Sequence, residues 1–293
     1  MTTDYTLERG FFGRRLVLTN AWNPSYADFM QQENIRELYL NYARGWSGDN
    51  LNFLRSLPFL EAFSILDLRI ENVTPVMGLP SLRAIEISTY CKTPLDFSCW
   101  PTLENCALYW RRGAESLFSK DLMTTLFLHR YDDSRSEAFT ALAALTELSV
   151  ANSALREVEA IGSLRHLVSL GLYNLKALES LSGLERLAQI QKLAVNGCKR
   201  VETVDEIASL TNLRTLELND DGAIASLEPL RSLAELENLS FYESTNVRDG
   251  RLDVLGDLPK LQTIAMQNRK HYNRRREEIS ASFLNHTKQQ QRT

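Results

Sequence analysis

Residues 145–172 read LTELSVANSALREVEAIGSLRHLVSLGL, and this stretch decides the fold. An apolar triplet with L-x-x-L-x-V spacing opens it, and the same spacing returns at the end of the stretch. The two triplets are Leu145/Leu148/Val150 and Leu167/Leu170/Leu172. Between them, apolar residues fall at every third position: Leu155, Val158, Ile161 and Leu164. Neither a helical period of 3.6 nor a strand period of 2 fits the whole stretch. The pattern therefore predicts one repeat unit, a short strand followed by tight turns.

The same triplet recurs along almost the whole chain, with opening residues 20 to 25 positions apart. The other triplets are Ile35/Leu38/Leu40, Leu60/Phe63/Ile65, Leu82/Ile85/Ile87, Leu103/Cys106/Leu108, Met123/Leu126/Leu128, Ile190/Leu193/Val195, Leu213/Leu216/Leu218, Leu236/Leu239/Phe241 and Leu261/Ile264/Met266. Leu16 and Leu18, with Gly13 at the opening position, mark a degenerate further unit. The sequence therefore predicts about 11 to 12 units.

These units resemble the leucine-rich-repeat family, whose repeat opens with L-x-x-L-x-L and has a length similar to the spacing seen here. The short unit is most similar to internalins and protein-phosphatase regulatory subunits, and the resemblance covers roughly residues 13–268. It implies an α/β-type solenoid, a curved array with a parallel inner sheet and an outer side rich in turns and 3-10 helices. A His-Tyr-centred ending (His271, Tyr272) is similar to that of some bacterial members and favours a bacterial source.

One position departs from the family pattern. The family usually has Asn or Cys three residues after the sixth position of the motif, where the side chain bonds the neighbouring turn. This chain has Ser153, Cys198, Asp221 and Ser244 there in later units, but Ala43, Arg111 and Tyr131 in earlier ones.

Three segments are expected along the chain. Residues 1–34 form an N-terminal cap, whose aromatic side chains cover the open end of the array; residues 35–268 form one continuous set of repeats. Residues 269–293 form a basic C-terminal cap and a disordered tail, with Ile279, Phe283 and Leu284 folding back over the last unit. A phosphate- or RNA-contacting arm is the alternative interpretation of the basic run at Arg269, Lys270, Arg274, Arg275 and Arg276.

Composition narrows the class of partner and the compartment. A net charge of −4 and a pI near 5.7 give no general nucleic-acid or membrane footprint. No apolar run approaches the roughly 18 residues needed to span a bilayer. The first residues lack the basic-then-apolar layout of a signal peptide, and the four cysteines include no C-x-x-C pair. We therefore expect a cytoplasmic protein that does not bind membranes.

Within each strand, the first, fourth and sixth residues of the motif should face the core, and the residues between and after them the inner surface. Glu37 is among the residues placed there. Aromatic and acidic side chains predominate on this surface, and Tyr, Trp and Arg commonly anchor protein interfaces. The predicted anchor patch comprises Tyr109, Trp110, Arg111, Phe127, His129, Arg130 and Tyr131. Further binding residues are predicted at Tyr173, Glu217, Asp220, Tyr242 and Glu243.

Each surface has an alternative interpretation. A shifted register in these irregular units would place Phe127 and Trp110 in the core. The later acidic residues would either attract a basic partner or form an ordinary solvated face.

The search for catalytic chemistry is negative. The chain contains no Gly-rich phosphate loop, no H-E-x-x-H and no G-x-S-x-G, and its four histidines lie in distant units. Cys106 and Cys198 are interpreted as structural, and Asp220 and Asp221 are expected at exposed strand ends with ordinary pKa values. We expect no enzyme activity, no metal and no cofactor.

Function should therefore come from binding a folded protein partner, with the chain monomeric on its own. The specific hypothesis is a cytoplasmic immunity or inhibitor protein that neutralises a basic toxin or enzyme. The alternative is a substrate-recognition subunit of an effector or ubiquitin-ligase-type assembly. Nucleic acid is the least favoured partner, because the chain is acidic overall.

Overall fold

The structure, a computed structural model, describes residues 4–290, with side chains described as far as residue 283. The chain divides into two compact units, Met1–His129 and Arg130–Thr293. Both units consist of short strands alternating with 3-10 helices. The predicted division at residues 34 and 268, with one unbroken array between them, stays a prediction.

Over residues 4–129, the first unit contains seven strands in sequential order and one α-helix. The strands are β1 (Tyr5–Arg9), β2 (Arg14–Leu18), β3 (Glu37–Asn41), β4 (Ala62–Leu66), β5 (Ala84–Ser88), β6 (Asn105–Tyr109) and β7 (Thr125–His129), and the helix is α1 (Ser25–Gln32). Strand β1 is antiparallel to β2, and β2 to β7 are parallel. The 3-10 helices are Tyr42–Arg44, Asn52–Ser56, Thr74–Gly78, Phe97–Cys99 and Ala114–Ser119.

Between residues 130 and 290, the second unit contributes six strands to a sheet and forms a separate pair of two-residue strands. The sheet consists of β8 (Glu147–Ala151), β9 (Ser169–Tyr173), β10 (Lys192–Asn196), β11 (Thr215–Glu217), β13 (Asn238–Phe241) and β15 (Thr263–Met266); the pair is β12 (Ala223–Ile224) and β14 (Asn246–Val247). The 3-10 helices are Glu137–Ala141, Glu159–Ser163, Leu184–Arg186, Asp205–Ser209, Glu228–Ser232 and Asp253–Gly256, and α2 is Arg276–Gln290.

The two periodicities of the sequence explain this alternation. In β9, Leu170 and Leu172 are buried together with the opening residue Leu167, as the strand motif predicts. The three-residue rhythm that follows lies in the turns and 3-10 helices, whose three residues per turn place every third side chain on one side. Leu51, Leu54 and Leu57 are fully buried in this way. Strand and turn therefore bury their apolar positions in the same core.

The N-terminal segment forms a hairpin that the sequence does not predict. Strand β1 returns antiparallel along β2, while Tyr5 packs its ring against Tyr26 and Phe29 at 5.6 and 5.2 Å. Phe11 and Phe12 at the hairpin tip are exposed. Among the predicted capping aromatics, these two therefore do not cover the core.

The hairpin tip buries Glu37, which was predicted on the inner surface. Glu37 is only 1% exposed. Its carboxylate accepts the backbone N–H groups of Phe11, Phe12 and Gly13, each at 2.7 Å. The prediction of an accessible Glu37 was wrong, because a segment far away in sequence folds over it.

At the C-terminal end, Ile279 and Phe283 of α2 are buried, and α2 contacts β15. Most of the basic run has partners in this region. Arg269 donates to the carbonyl oxygens of Glu243 and Thr245, both at 2.9 Å, and Arg274 pairs with Asp253 at 3.0 Å. Helix α2 extends to Gln290, into the tail for which the sequence predicts disorder. The predicted contact of Leu284 lies outside the described side chains, and residues 291–293 lie outside the described residues.

The residue seven positions after the opening residue has a positive φ angle in six successive repeats. These residues are Arg130 (61°), Asn152 (51°), Asn174 (54°), Gly197 (76°), Asp220 (58°) and Glu243 (58°). Asn, Asp and Gly tolerate this left-handed conformation, whereas other residues pay roughly 1–2 kcal/mol. The strand end therefore turns at a position where Glu243 is an unfavourable choice.

Replacing Glu243 by asparagine should stabilise the protein by about 1 kcal/mol, because asparagine adopts the left-handed conformation more easily. Arg269 donates to the backbone carbonyl of residue 243, so this hydrogen bond is retained in the variant. Urea denaturation would measure the change. The control is Glu147→Asn, because Glu147 is exposed and has no positive φ angle. We expect no increase in the free energy of unfolding from this change. Equal stabilisation by both changes would contradict the conformational explanation.

Candidate protein-binding surfaces

The inner surface of the first unit follows the register that the sequence predicts. Leu126 and Leu128 of β7 are buried, whereas Phe127 between them is 38% exposed. Phe127 therefore lies on the opposite side of the sheet from the core, and the alternative with a shifted register is wrong for it. Trp110 is half-buried and packs its ring against Phe118 at 5.8 Å.

An aromatic ladder crosses the ends of three neighbouring strands. It comprises Tyr90, Tyr109 and His129. The Tyr90 and Tyr109 ring centroids are 6.1 Å apart and nearly perpendicular, and those of Tyr109 and His129 are 4.2 Å apart. Tyr90 is 57% exposed. The rings hold each other in place, so a partner would meet a surface with little side-chain entropy left to lose.

Beside the aromatic ladder, the small residue Ala107 lies between two larger side chains. Ala107 of β6 pairs with Glu86 of β5 on one side and Phe127 of β7 on the other. Its methyl group is much shorter than either neighbouring side chain, so the register sets a small residue between a carboxylate and a phenyl ring. We call this the Ala107 notch. Sequence reasoning missed it; the signal was a small residue at the fifth position of the repeat that starts at Leu103.

Two residues of the predicted anchor patch are buried. Arg111 donates to the carbonyl and hydroxyl oxygens of Thr89, both at 3.3 Å, and to the Cys91 sulfur at 3.4 Å. Tyr131 packs on Phe139 with centroids 5.3 Å apart, and burial raises its pKa to about 12. Both occupy the family's Asn/Cys position, where the side chain turns inward. Their predicted exposure on the inner surface was wrong.

The inner surface of the second unit carries the remaining predicted residues. Tyr173 lies back over Gly171, where an added Cβ would be 2.4 Å from its ring. Glu217 accepts from Asn196 at 3.1 Å and lies 3.7 Å from the Lys192 ammonium, and Asp220 pairs with Lys199 at 3.3 Å. Tyr242, Glu243 and Arg130 are exposed. Lysines thus offset part of the acidic charge that the sequence indicates on this side.

Asp221 differs from its expected exposed position. It is 1% exposed, and its Oδ1 accepts the Cys198 backbone N–H at 2.7 Å. Its Oδ2 is buried without a hydrogen-bond partner in the described chain. Burial raises the pKa of the carboxyl to about 7; the Cys198 N–H opposes this shift, and the charge of Asp220 adds to it. Asp221 thus takes the place that asparagine has in the family pattern.

The described residues hold no group of three or more His, Cys, Asp or Glu side chains that could bind a metal ion. Cys106 and Cys198 are buried, as a structural role requires, and burial raises the pKa of both thiols, that of Cys198 to about 12. Across residues 4–290, no helix is both long and apolar enough to cross a membrane.

Comparison with known proteins identifies the fold. No model of a known protein family matches the chain, and no curated protein sequence matches it significantly. Among solved structures, an internalin (inlF) from Listeria monocytogenes has a TM-score of 0.61 at 15% identity, covering 88% of this chain and 83% of that one. Internalin C2 (inlC2) of the same organism has a TM-score of 0.50 at 19% identity, covering 72% and 83%.

TLR13, solved in a complex with ssRNA13, has a TM-score of 0.58 at 18% identity, covering 80% of this chain but 38% of its own. At such identities the likeness concerns the fold alone. The strands, the parallel sheets and the 3-10 turns are those of the leucine-rich-repeat fold, similar to the internalins.

Proposed function

We propose that the chain is a non-catalytic scaffold that binds a folded protein through the inner surface of its first unit. The observation that carries this proposal is the exposure of Phe127 on the sheet surface beside the Ala107 notch and of Tyr90 just beyond the end of β5. Large exposed apolar side chains in one patch are typical of binding sites on soluble proteins. Aromatic residues are also the most frequent energetic anchors of interfaces.

The notch favours a basic side chain of the partner. An arginine or lysine entering over Ala107 would place its charge between the Glu86 carboxylate and the Phe127 ring. The carboxylate would supply an ion pair, and the ring face a cation–π contact worth roughly 0.5–2 kcal/mol. This chemistry supports a basic toxin or enzyme as partner and the chain as its cytoplasmic immunity or inhibitor protein.

Nucleic acid is less well supported as the partner. Arg269, Arg274 and Arg276 of the basic run already bind carbonyl or carboxylate groups of the chain. Phosphate contacts would have to replace these bonds.

The test fills the notch with a larger side chain. Ala107→Leu should abolish capture of the partner from native cell extract, because the leucine occupies the space of the entering side chain. Partners would be identified by mass spectrometry, and affinity would then be measured with the purified partner by calorimetry. We expect about a tenfold or greater loss, equivalent to about 1.4 kcal/mol.

The matched control is Ser149→Leu, which adds the same side chain at the same repeat position on β8. A partner that binds wild type and Ser149→Leu equally, but not Ala107→Leu, would support the proposed surface. Equal binding by all three proteins would move the site away from the notch. A urea denaturation midpoint of Ala107→Leu equal to that of wild type would show that steric filling, and not misfolding, caused the loss.

A further inference from the structure

Strand β1 is paired on one side. In an antiparallel pair, alternate residues direct their backbone groups to the neighbouring strand. The bonds from the Gly10 N–H to the Gly13 carbonyl (2.8 Å) and from the Thr19 N–H to the Asp4 carbonyl (2.9 Å) show which residues do so. The backbone N–H and C=O groups of the even-numbered residues of β1 are therefore directed to β2. The N–H and C=O groups of Tyr5, Leu7 and Arg9 therefore point to the free edge, and they have no partner within residues 4–290.

The sequence of β1 contains two charged residues, Glu8 and Arg9, but no lysine, proline or bulge. Natural sheets block such edges with proline, with lysine or with a bulge. The strand reads Tyr-Thr-Leu-Glu-Arg, and its register with β2 is unbroken from residue 5 to residue 9. Leu7 at its centre is 40% exposed. An accessible row of backbone donors and acceptors thus lies beside an exposed apolar side chain.

We propose that the chain, which the sequence analysis expects to be monomeric, dimerises through β1, which pairs antiparallel with β1 of a second copy about a two-fold axis at Leu7. This register places Leu7 opposite Leu7, and Tyr5 of each copy opposite Arg9 of the other. All six outward backbone groups of each copy then find partners, because the three outward residues become the hydrogen-bonded pairs of the new ladder. The contact is self-complementary, as a closed dimer requires.

The side chains match in this register. Leu7 meets an apolar neighbour, and the Arg9 guanidinium meets the Tyr5 ring, a favourable cation–π pair. On the other side of the strand, Glu8 lies opposite Thr6. The two Glu8 carboxylates are diagonal neighbours, but each is already paired with Arg15 at 3.3 Å and with Arg44. Moving the axis to Arg9 would set the two arginines directly opposite each other, which disfavours that register.

Charge exchange at the axis tests the proposal. By sedimentation velocity over a concentration series, wild type should show a reversible monomer–dimer equilibrium. Leu7→Lys and Leu7→Glu should each be monomeric, because the axis then sets two like charges opposite each other. An equimolar mixture of the two variants should dimerise again. A wild type that stays monomeric, variants that still dimerise, or a mixture that does not recover would each overturn the proposal.

Cross-linking provides a second measurement, because a covalent bond accumulates even a weakly populated dimer. Hydrogen-bonded antiparallel pairs have Cα atoms about 5.5 Å apart, within the range that a disulfide spans. Leu7→Cys should therefore form a covalent dimer under mild oxidation. Arg9→Cys is the control, because each Arg9 lies opposite Tyr5 and far from the other Arg9. Equal cross-linking by both variants would overturn the register.

Discussion

Replacing Glu37 by alanine should lower the free energy of unfolding by roughly 3–5 kcal/mol. The side chain is a buried carboxylate that accepts three backbone N–H groups of the hairpin tip. Hydrogen bonds to charged groups contribute roughly 1.5–3 kcal/mol each, and part of that contribution is recovered when water reaches the freed amides. Denaturation by urea would measure the loss, and amide hydrogen exchange at residues 11–13 would locate it.

Glu86→Ala is the matched control, because Glu86 also faces the inner surface of the first unit but is half-buried and accepts no backbone N–H group within residues 4–290. We expect it to cost less than about 1 kcal/mol, the usual range for surface positions. Equal losses in the two variants, or unchanged exchange at the hairpin tip, would contradict the role of Glu37. Gly10 is independent evidence that the hairpin tip packs closely on Glu37, since a Cβ at Gly10 would lie 1.9 Å from the Glu37 carboxylate.

Replacing Asp221 by asparagine should stabilise the protein above pH 7 by about 2 kcal/mol, and the gain should disappear near pH 4. The pKa of Asp221 is about 7 in the folded chain, against 3.8 for an unperturbed aspartate. Between these values the folded state holds a proton that the unfolded state has lost. Stability therefore falls as the pH rises from about 4 to 7 and levels off above that. Asparagine keeps an oxygen for the Cys198 N–H but carries no charge.

The shift of about three pKa units sets an upper limit of roughly 4 kcal/mol, at about 1.4 kcal/mol per unit. The new amide group needs an acceptor of its own, which reduces the gain. Thermal denaturation of wild type and Asp221→Asn from pH 4 to pH 8 would measure the difference in stability. Asp220→Asn is the control, because hydrogen bonds from Ser244 and Lys199 hold the pKa of that exposed carboxyl below its usual value. A stability difference for Asp221→Asn that does not change with pH would contradict the assignment.

The inner surface could be predicted in part because strands alternate their side chains with a period of exactly two residues. Once Leu126 and Leu128 are assigned to the core, Phe127 must face the other way. The same argument does not reach past the strand end, where the chain leaves the extended conformation. Arg111, Tyr131 and Asp221 follow their strands, and all three turn inward. The Ala107 notch is visible when Glu86 and Phe127 are aligned beside it, and that requires the register between strands.

The sequence by itself determined the repeat, the positions of the strands that open each repeat and the turns between them, because each depends on the spacing of apolar residues within a single repeat unit. Only the tertiary structure decided that Glu37 is buried, that β1 ends the sheet with a free edge and that Asp221 titrates near neutral pH. Each of these depends on segments that are distant in sequence, such as the hairpin tip over Glu37 and Cys198 beside Asp221. Local periodicity carries no information about which distant backbone group will supply the hydrogen bond.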